Sequence, residues 1–358
     1  MVGEMIDASF KDYCRAVGKA AVDPDELMDV NPFLRTVDET MSVWAGRFRG
    51  HFPKVPKICA GFIEAHQFGA AADILEDLAV IRIHASVPTM VSNLVTSILS
   101  HPNGFAVHGS EIQVHDQGVR IETANLEEAL FNNGRLFKLP TSFPIAVALC
   151  NFIVFHEFIH IRNGHVDLFK KSIGLLAMEE AYSETSWELT PLDRQAMEWD
   201  ADKIAHWLST DVALSTLLGK PLNECPVEDA REAFRVYHLC LYLLFKLIEV
   251  VELRSIGPRV HPTPIVRMSF LLTQMKSLAE MLKIGPMPDE VAANLVRSGE
   301  VAWALITNQS FAKIAAVVER MNDQVHDGIA ILRQWNDLRE RLAPFNRGTT
   351  ELARANPD

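Results

Sequence analysis

The sequence has few cysteines, and none of them form a paired motif. Its 358 residues include five cysteines, all far apart, with no C-x-x-C spacing. An odd number of scattered cysteines does not suit a disulfide framework and is typical of buried thiols in a reducing compartment. We therefore expect a cytoplasmic protein without disulfides.

The sequence also lacks a long hydrophobic run. The longest apolar segments, at 143–155 and 236–245, fall short of the roughly 20 residues that a transmembrane helix needs. The N-terminal residues include early acidic side chains and lack the apolar segment of a secretory signal. These absences predict no membrane span.

Positive charge is scarce as well. The chain has 34 Lys and Arg against 46 Asp and Glu, which gives a net charge of -12. Nucleic-acid binding depends on clustered basic side chains, so this balance argues against a nucleic-acid partner. No glycine-rich segment suggests a phosphate-binding loop, and no internal repeat is present.

The patterns that are present predict an α+β fold that is mainly α-helical, with a small β-sheet whose edge strand packs on a helix, and a helical C-terminal extension. Residues 1–75 look mainly helical. Short segments with strand character follow at 79–85, 111–116, 118–123 and 135–140. Helical patterns begin at 143 and continue at 190, 228–254, 264–284, 288–306 and 310–342. We divide the chain into an N-terminal α/β region (1–130), a central core (131–275), a helical C-terminal region (276–345) and a flexible tail (346–358).

The segment 155–165, "FHEFIHIRNGH", contains the pattern H-E-x-x-H. His156 and His160 are four residues apart and lie on the same face of a helix, where both imidazoles can bind one metal ion. Glu157 is rotated about 100° from His156 and can reach a water molecule beside the ion without binding the ion itself. This arrangement is typical of zinc-dependent hydrolysis, with the carboxylate as general base.

The surrounding helix is apolar on most sides, so we expect it to be buried. Two histidines and a glutamate are costly to bury without partners. The alternative to a metal site is a set of buried polar side chains that satisfy one another by hydrogen bonds.

A metal site needs a third ligand, and three residues are candidates. His165 follows Gly164, which favours the end of the helix, so His165 is better explained as a helix-end residue. Glu198 and Asp202, in "EWDAD", lie on one face of a second helix that Thr190 can cap. Glu198 can complete a two-histidine, one-glutamate site, and Asp202 can accept the second N–H of a ligand histidine. Asp200, the third candidate, lies on another face.

"HEFIH" followed by "EWDAD" resembles the H-E-x-x-H and E-x-x-A-D pairing of gluzincin metallopeptidases, and "HPTPIVR" (261–267) resembles the His-Pro motif of their HtpX and CAAX-prenyl-protease type. The resemblance implies that His156, His160 and Glu198 are zinc ligands, that Glu157 is the base and that Asp202 supports a ligand. It places His261 and Arg267 near the substrate or the ligand helix.

The resemblance covers about residues 130–270 and implies that the core at 131–275 is catalytic, with a zincin-like active-site helix. This sequence also departs from those proteases. The proteases of that type are typically membrane-embedded, so a membrane location and prenylated substrates do not carry over. "HEFIHIRNGH" is also similar to the phage-exclusion peptidases of the Lit type, which act on a cytosolic protein. The regulatory peptidases of the ImmA/IrrE type share the two motifs at a shorter separation than the 38 residues found here.

Two further features of the sequence can be interpreted in terms of this resemblance. The segment 135–140 is expected to be an edge strand, either an ordinary one or one that pairs with an extended substrate. Four side chains are candidates to stabilise the oxyanion of the reaction: Tyr182, Tyr237, His238 and His261.

The sequence therefore predicts a zinc-dependent endopeptidase acting on a cytosolic protein or peptide. The alternative is a non-catalytic protein in which a structural or regulatory zinc site supports a helical protein-binding surface.

Overall fold

The computed structural model describes residues 8–23, 32–65, 67–100, 142–173, 177–178, 189–253, 260–285, 289–307 and 321–356. These residues form a mainly helical α+β fold, which confirms the predicted fold class. The predicted strands at 111–116, 118–123 and 135–140 and the candidate Tyr182 lie outside the described residues. The division into four regions stays a prediction.

The described helices are α1 (Ala8–Ala16), α2 (Pro32–His51), α3 (Ser86–Ser100), α4 (Ser142–Arg162), α5 (His165–Ile173), α6 (Pro191–Leu218), α7 (Val227–Leu253), α8 (Pro264–Met281), α9 (Asp289–Thr307) and α10 (Met321–Leu342). The described strands are β1 (Ala21–Val22), β2 (Lys57–Ile63), β3 (Ala70–Leu75), β4 (Leu78–His84) and β5 (Ala177–Met178).

The strands form one mixed sheet with the order β1-β2-β4-β3-β5. β2 and β4 are parallel, with Lys57 opposite Leu78, and the other neighbouring pairs are antiparallel. The predicted strand at 79–85 is confirmed as β4. The prediction that residues 1–75 are mainly helical was wrong for β2 and β3.

The error at β2 and β3 has a physical reason. β2, "KICAGFI", is a short apolar run, and periodicity alone cannot tell such a run from a buried helix. β3, "AAADIL", begins with three alanines, which favour a helix by propensity. Both strands are buried along most of their length, and pairing within the sheet overrides that local preference.

Helix α4, which carries the H-E-x-x-H motif, lies in the centre of the molecule. It packs against β3 and β4 of the sheet and against α2, α3, α6 and α7. Phe158 of α4 stacks on Phe48 of α2, with ring centroids 3.6 Å apart. Its side chains are buried almost continuously from Ile145 to Ile161, as the apolar composition predicts.

Among the described helices, α4 is long and apolar enough to cross a membrane by length and composition. It extends beyond the apolar run at 143–155 and has 21 residues. Within the fold, 89% of its most apolar stretch of 18 residues is buried. The buried core helix of a soluble protein can have the same length and composition, so α4 alone is weak evidence for a membrane span.

The ends of α4 and α6 follow the signals in the sequence. Gly164, just after α4, has φ of 81°, a left-handed conformation that glycine adopts without strain. Thr190 caps α6: its hydroxyl accepts a hydrogen bond from Asp193 N at 3.1 Å, and Asp193 Oδ2 accepts one from Thr190 N at 2.8 Å. This capping box fixes where α6 begins, and therefore where its Glu198 lies.

The residues after α10 return to the motif helix. Arg347 N donates to Arg162 O, the last residue of α4, at 2.7 Å, and its guanidinium pairs with Asp167 of α5. Farther on, Ala353 O accepts a hydrogen bond from Trp335 Nε1 at 3.0 Å. These contacts attach the C-terminal segment to the end of α4, to α5 and to α10.

Candidate metal centre

Three buried side chains from α4 and α6 meet in the core. Glu198 Oε2 lies 3.1 Å from His156 Nε2, and Glu198 Oε1 lies 3.4 Å from His160 Nε2. The two histidine Nε2 atoms are 3.0 Å apart. The structure therefore brings Glu198 to the two histidines, as the third-ligand prediction requires.

The chemistry of this group fits a metal ion. One ligand atom from each of His156, His160 and Glu198 lies within 4.8 Å of the others, and all three residues are buried. Glu198 Oε2 is shielded from solvent, and the neighbouring polar atoms, His156 Nε2 at 3.1 Å and His261 Nε2 at 3.3 Å, do not form well-aligned hydrogen bonds with it. Two imidazole nitrogens and a carboxylate are a donor set that zinc binds, and an ion would satisfy the buried oxygen.

Burial and neighbouring charges act in opposite directions on the pKa values here. Burial lowers the pKa of His156, but the carboxylates of Glu198 and Asp202 outweigh it and raise that pKa to about 10. Burial holds the pKa of His160 well below its usual range, although Glu198 opposes it. Burial would raise the pKa of Glu198, but His261, His160 and His156 together hold it well below its usual range. These shifts keep Glu198 ionised, whereas the raised pKa of His156 means that its imidazole must lose a proton before it can bind a metal.

Asp202, one turn after Glu198 on α6, lies behind His156. Its Oδ1 is 3.0 Å from His156 Nδ1, as expected for a carboxylate that fixes the orientation of a ligand histidine. Arg267 of α8 holds Asp202 from the other side, with Nε donating at 2.7 Å and Nη2 at 2.6 Å. Burial would raise the pKa of Asp202, but Arg267 and His156 lower it. Arg267 therefore holds Asp202 of α6 in place behind His156.

Replacing Arg267 with methionine should lower the free energy of unfolding by about 3–5 kcal/mol, because it leaves the buried Asp202 carboxylate without its cation. Urea denaturation at neutral pH measures the change. The double variant R267M/D202N removes the stranded charge and should recover part of the loss. If R267M unfolds at the same urea concentration as the wild type, the pair does not stabilise the fold.

His261 comes to the same group from the segment before α8. Its Nε2 lies 3.3 Å from Glu198 Oε2, and its Nδ1 lies 3.6 Å from Glu252 Oε2. The other oxygen of Glu252 accepts hydrogen bonds from the backbone N–H groups of Val260 and His261, the latter at 3.0 Å. Glu252 thus holds both the backbone and the ring of His261 beside Glu198.

The other predicted residues occupy different places. Glu157 is buried next to His156 on α4. Tyr237 shares a hydrogen bond with Ser209 at 2.9 Å, and the ring of His238 contacts His206 at 2.6 Å. Of the oxyanion candidates among the described residues, the structure brings His261 to the ligand group, while the contacts of Tyr237 and His238 are with α6.

Some supporting residues were not predicted for the site. His165, expected to be only a helix-end residue, lies 2.9 Å from His160, Nδ1 to Nδ1. Asp200, expected on another face, lies behind His165. Glu252 belongs to no motif, and the one sequence signal for it is a carboxylate near the end of an otherwise apolar helix.

Comparisons with known proteins do not extend the resemblance. No protein-family model, no curated protein and no solved structure matches the chain, so the likeness to gluzincins depends on the three motifs and on the geometry described above.

Proposed function

We propose that the protein is a zinc-dependent endopeptidase that hydrolyses peptide bonds of a protein or peptide in the cytoplasm. The observation that carries the proposal is the convergence of His156, His160 and Glu198 in the core, with the buried Glu157 adjacent to the first histidine. Hydrolysis at such a site requires a carboxylate for proton transfer, and Glu157 occupies the position of that group in the motif.

Each of these residues has a role in the proposed reaction. His156, His160 and Glu198 would hold the ion. When bound, zinc lowers the pKa of coordinated water to about 7 and polarises the scissile carbonyl. Glu157 accepts the proton of the attacking water and then donates it to the nitrogen of the leaving amine.

His261 is proposed to stabilise the negative charge that develops on the carbonyl oxygen. Its ring lies beside Glu198, and Glu252 orients it from behind. In that role an N–H group of His261 would donate to the developing charge, and a donor that is already held in place needs no reorganisation during the reaction. Asp202 and Arg267 position His156 and do not themselves contact the substrate in this account.

The number of ligands supports catalysis. Within the part of the chain that the structure describes, three protein groups meet at the site. Catalytic zinc sites typically have three protein ligands and keep one position for water or substrate, whereas structural sites are closed by four.

Burial favours a second candidate, a structural or regulatory zinc site in a binding protein. None of His156, His160 and Glu198 is more than 7% exposed. A structural site is normally shielded from solvent in this way. The two candidates differ in what removal of the metal does to the fold.

Chelation of zinc should abolish cleavage and leave most of the helical structure intact, because the extensive apolar core around α4 does not depend on the ion. Far-UV circular dichroism and thermal unfolding, before and after dialysis against a chelator, measure the effect. Readdition of zinc should restore cleavage. Loss of the helical signal on chelation would instead support the structural site.

A further inference from the structure

A second histidine lies directly behind the ligand His160. His165, the first residue of α5, is fully buried, and its Nδ1 is 2.9 Å from Nδ1 of His160. The other ring nitrogen of His165, Nε2, faces Asp200 Oδ2 of α6 at 3.4 Å. His165 thus lies between a metal-ligand candidate and a carboxylate.

We infer that His165 is a positioning residue that fixes the ring and the tautomer of His160. The inference rests on the metal site of the proposed function. A contact of 2.9 Å between two nitrogens needs a proton on one and a lone pair on the other. His160 can offer the Nε2 lone pair to a metal as a neutral imidazole when its proton is on Nδ1. His160 Nδ1–H therefore donates to His165 Nδ1, and the proton of His165 is on Nε2, facing Asp200.

The surroundings hold His165 and Asp200 in place. Asn163 Nδ2 donates a hydrogen bond to Asp200 Oδ2, and Arg162 Nη1 donates to Asn163 Oδ1 at 2.7 Å. The indole of Trp335 packs against the His165 ring edge to face, with centroids 6.1 Å apart. The acceptor that faces His160 is thus fixed by groups from α4, α6 and α10.

The turn at Gly164 makes this arrangement possible. Its φ of 81° reverses the chain after α4, so that the next residue faces back toward His160. A side chain at position 164 would collide with Phe345, so the close approach of the C-terminal segment also requires glycine. The sequence "NGH" after the motif therefore has a role in the site as well as in ending the helix.

The two ligand histidines have supports of different charge. His156 faces the carboxylate of Asp202 directly, whereas His160 faces a neutral imidazole, with the carboxylate of Asp200 one residue farther away. An anionic partner raises the electron density of a ligand imidazole more than a neutral one does. Loss of His165 should therefore weaken zinc binding mainly because the ring of His160 is no longer held in place.

The variants His165→Leu and His165→Asn test the inference, because their side chains have nearly the same shape but only asparagine keeps an acceptor at the Nδ1 position. Zinc affinity, measured by competition with a chromophoric chelator, should fall about 10–100-fold in H165L and stay close to wild type in H165N. H165F, which fills the ring volume without an acceptor, replaces H165L if that variant does not fold. H238F, which removes an equally buried histidine outside the site, controls for loss of stability.

Equal zinc affinity in H165L and H165N would overturn the inference, since the acceptor would then have no effect. This outcome differs from failure of the proposed function. A wild-type protein that binds zinc but cleaves nothing would refute the peptidase and leave the affinity comparison valid. A selective loss in H165L, with H238F unchanged, supports the positioning role whatever the substrate.

Discussion

Replacing Glu157 with glutamine is expected to abolish peptide cleavage while zinc remains bound. Glutamine keeps the size of the side chain but cannot accept a proton from the attacking water. General acid–base catalysis typically contributes 10²–10⁴-fold to the rate, so kcat should fall by about this factor or more. The proposed ligands His156, His160 and Glu198 are unchanged, so the zinc content should equal that of the wild type.

The measurement begins with a search for the substrate. Protein N-termini are compared between cells expressing the wild type and cells expressing E157Q, and a peptide spanning a site cleaved by the wild type alone is then used for kinetics. E300Q is the matched control, because Glu300 is an equally buried glutamate that pairs with Tyr242 and Lys246 far from the motifs in sequence. E300Q should cleave the peptide like the wild type. If E157Q retains proteolysis, the peptidase assignment is wrong.

Replacing Glu198 with alanine should remove the zinc. Glu198 supplies the carboxylate that lies within 3.4 Å of both histidine Nε2 atoms, and no other carboxylate of the described residues completes the group. Loss of a residue that only supports a ligand typically costs 10–100-fold in metal affinity, and loss of the ligand itself should exceed that range. Atomic emission on the purified variant measures the stoichiometry, and chelator competition measures the affinity.

D211N controls for removal of a negative charge from the same helix. Asp211 is an exposed residue near the C-terminal end of α6, and its replacement should leave the zinc content unchanged. Full zinc occupancy in E198A would show that Glu198 is not the third ligand. The stability of E198A must be measured in parallel, because the variant leaves His156 and His261 without their shared carboxylate.

The part of the site that follows helical periodicity could be predicted from the sequence. His156 and His160 share a face because they are four residues apart, and the same spacing places Asp202 one turn after Glu198. The capping signals at Thr190 and Gly164 fix the ends of the two helices that carry these residues. Burial of so many polar groups on apolar helices requires partners, which predicts that the two faces meet.

The rest depends on tertiary structure. The contact between His165 and His160 requires the chain reversal at Gly164, and the pairing of Glu252 with His261 joins the end of α7 to the segment before α8. No local pattern encodes either contact. β3 could not be predicted from local sequence for the same reason. Its alanines favour a helix, and it is a strand because it pairs with β4.

The most direct test of the account is the position of the metal. Crystals of the zinc-loaded protein, measured on both sides of the zinc absorption edge, should show one strong anomalous peak in contact with His156 Nε2, His160 Nε2 and a carboxylate oxygen of Glu198. Zinc–nitrogen distances of about 2.0–2.1 Å are expected. A peak at other residues, or none in protein that retains zinc in solution, would contradict the metal site from which the proposed function follows.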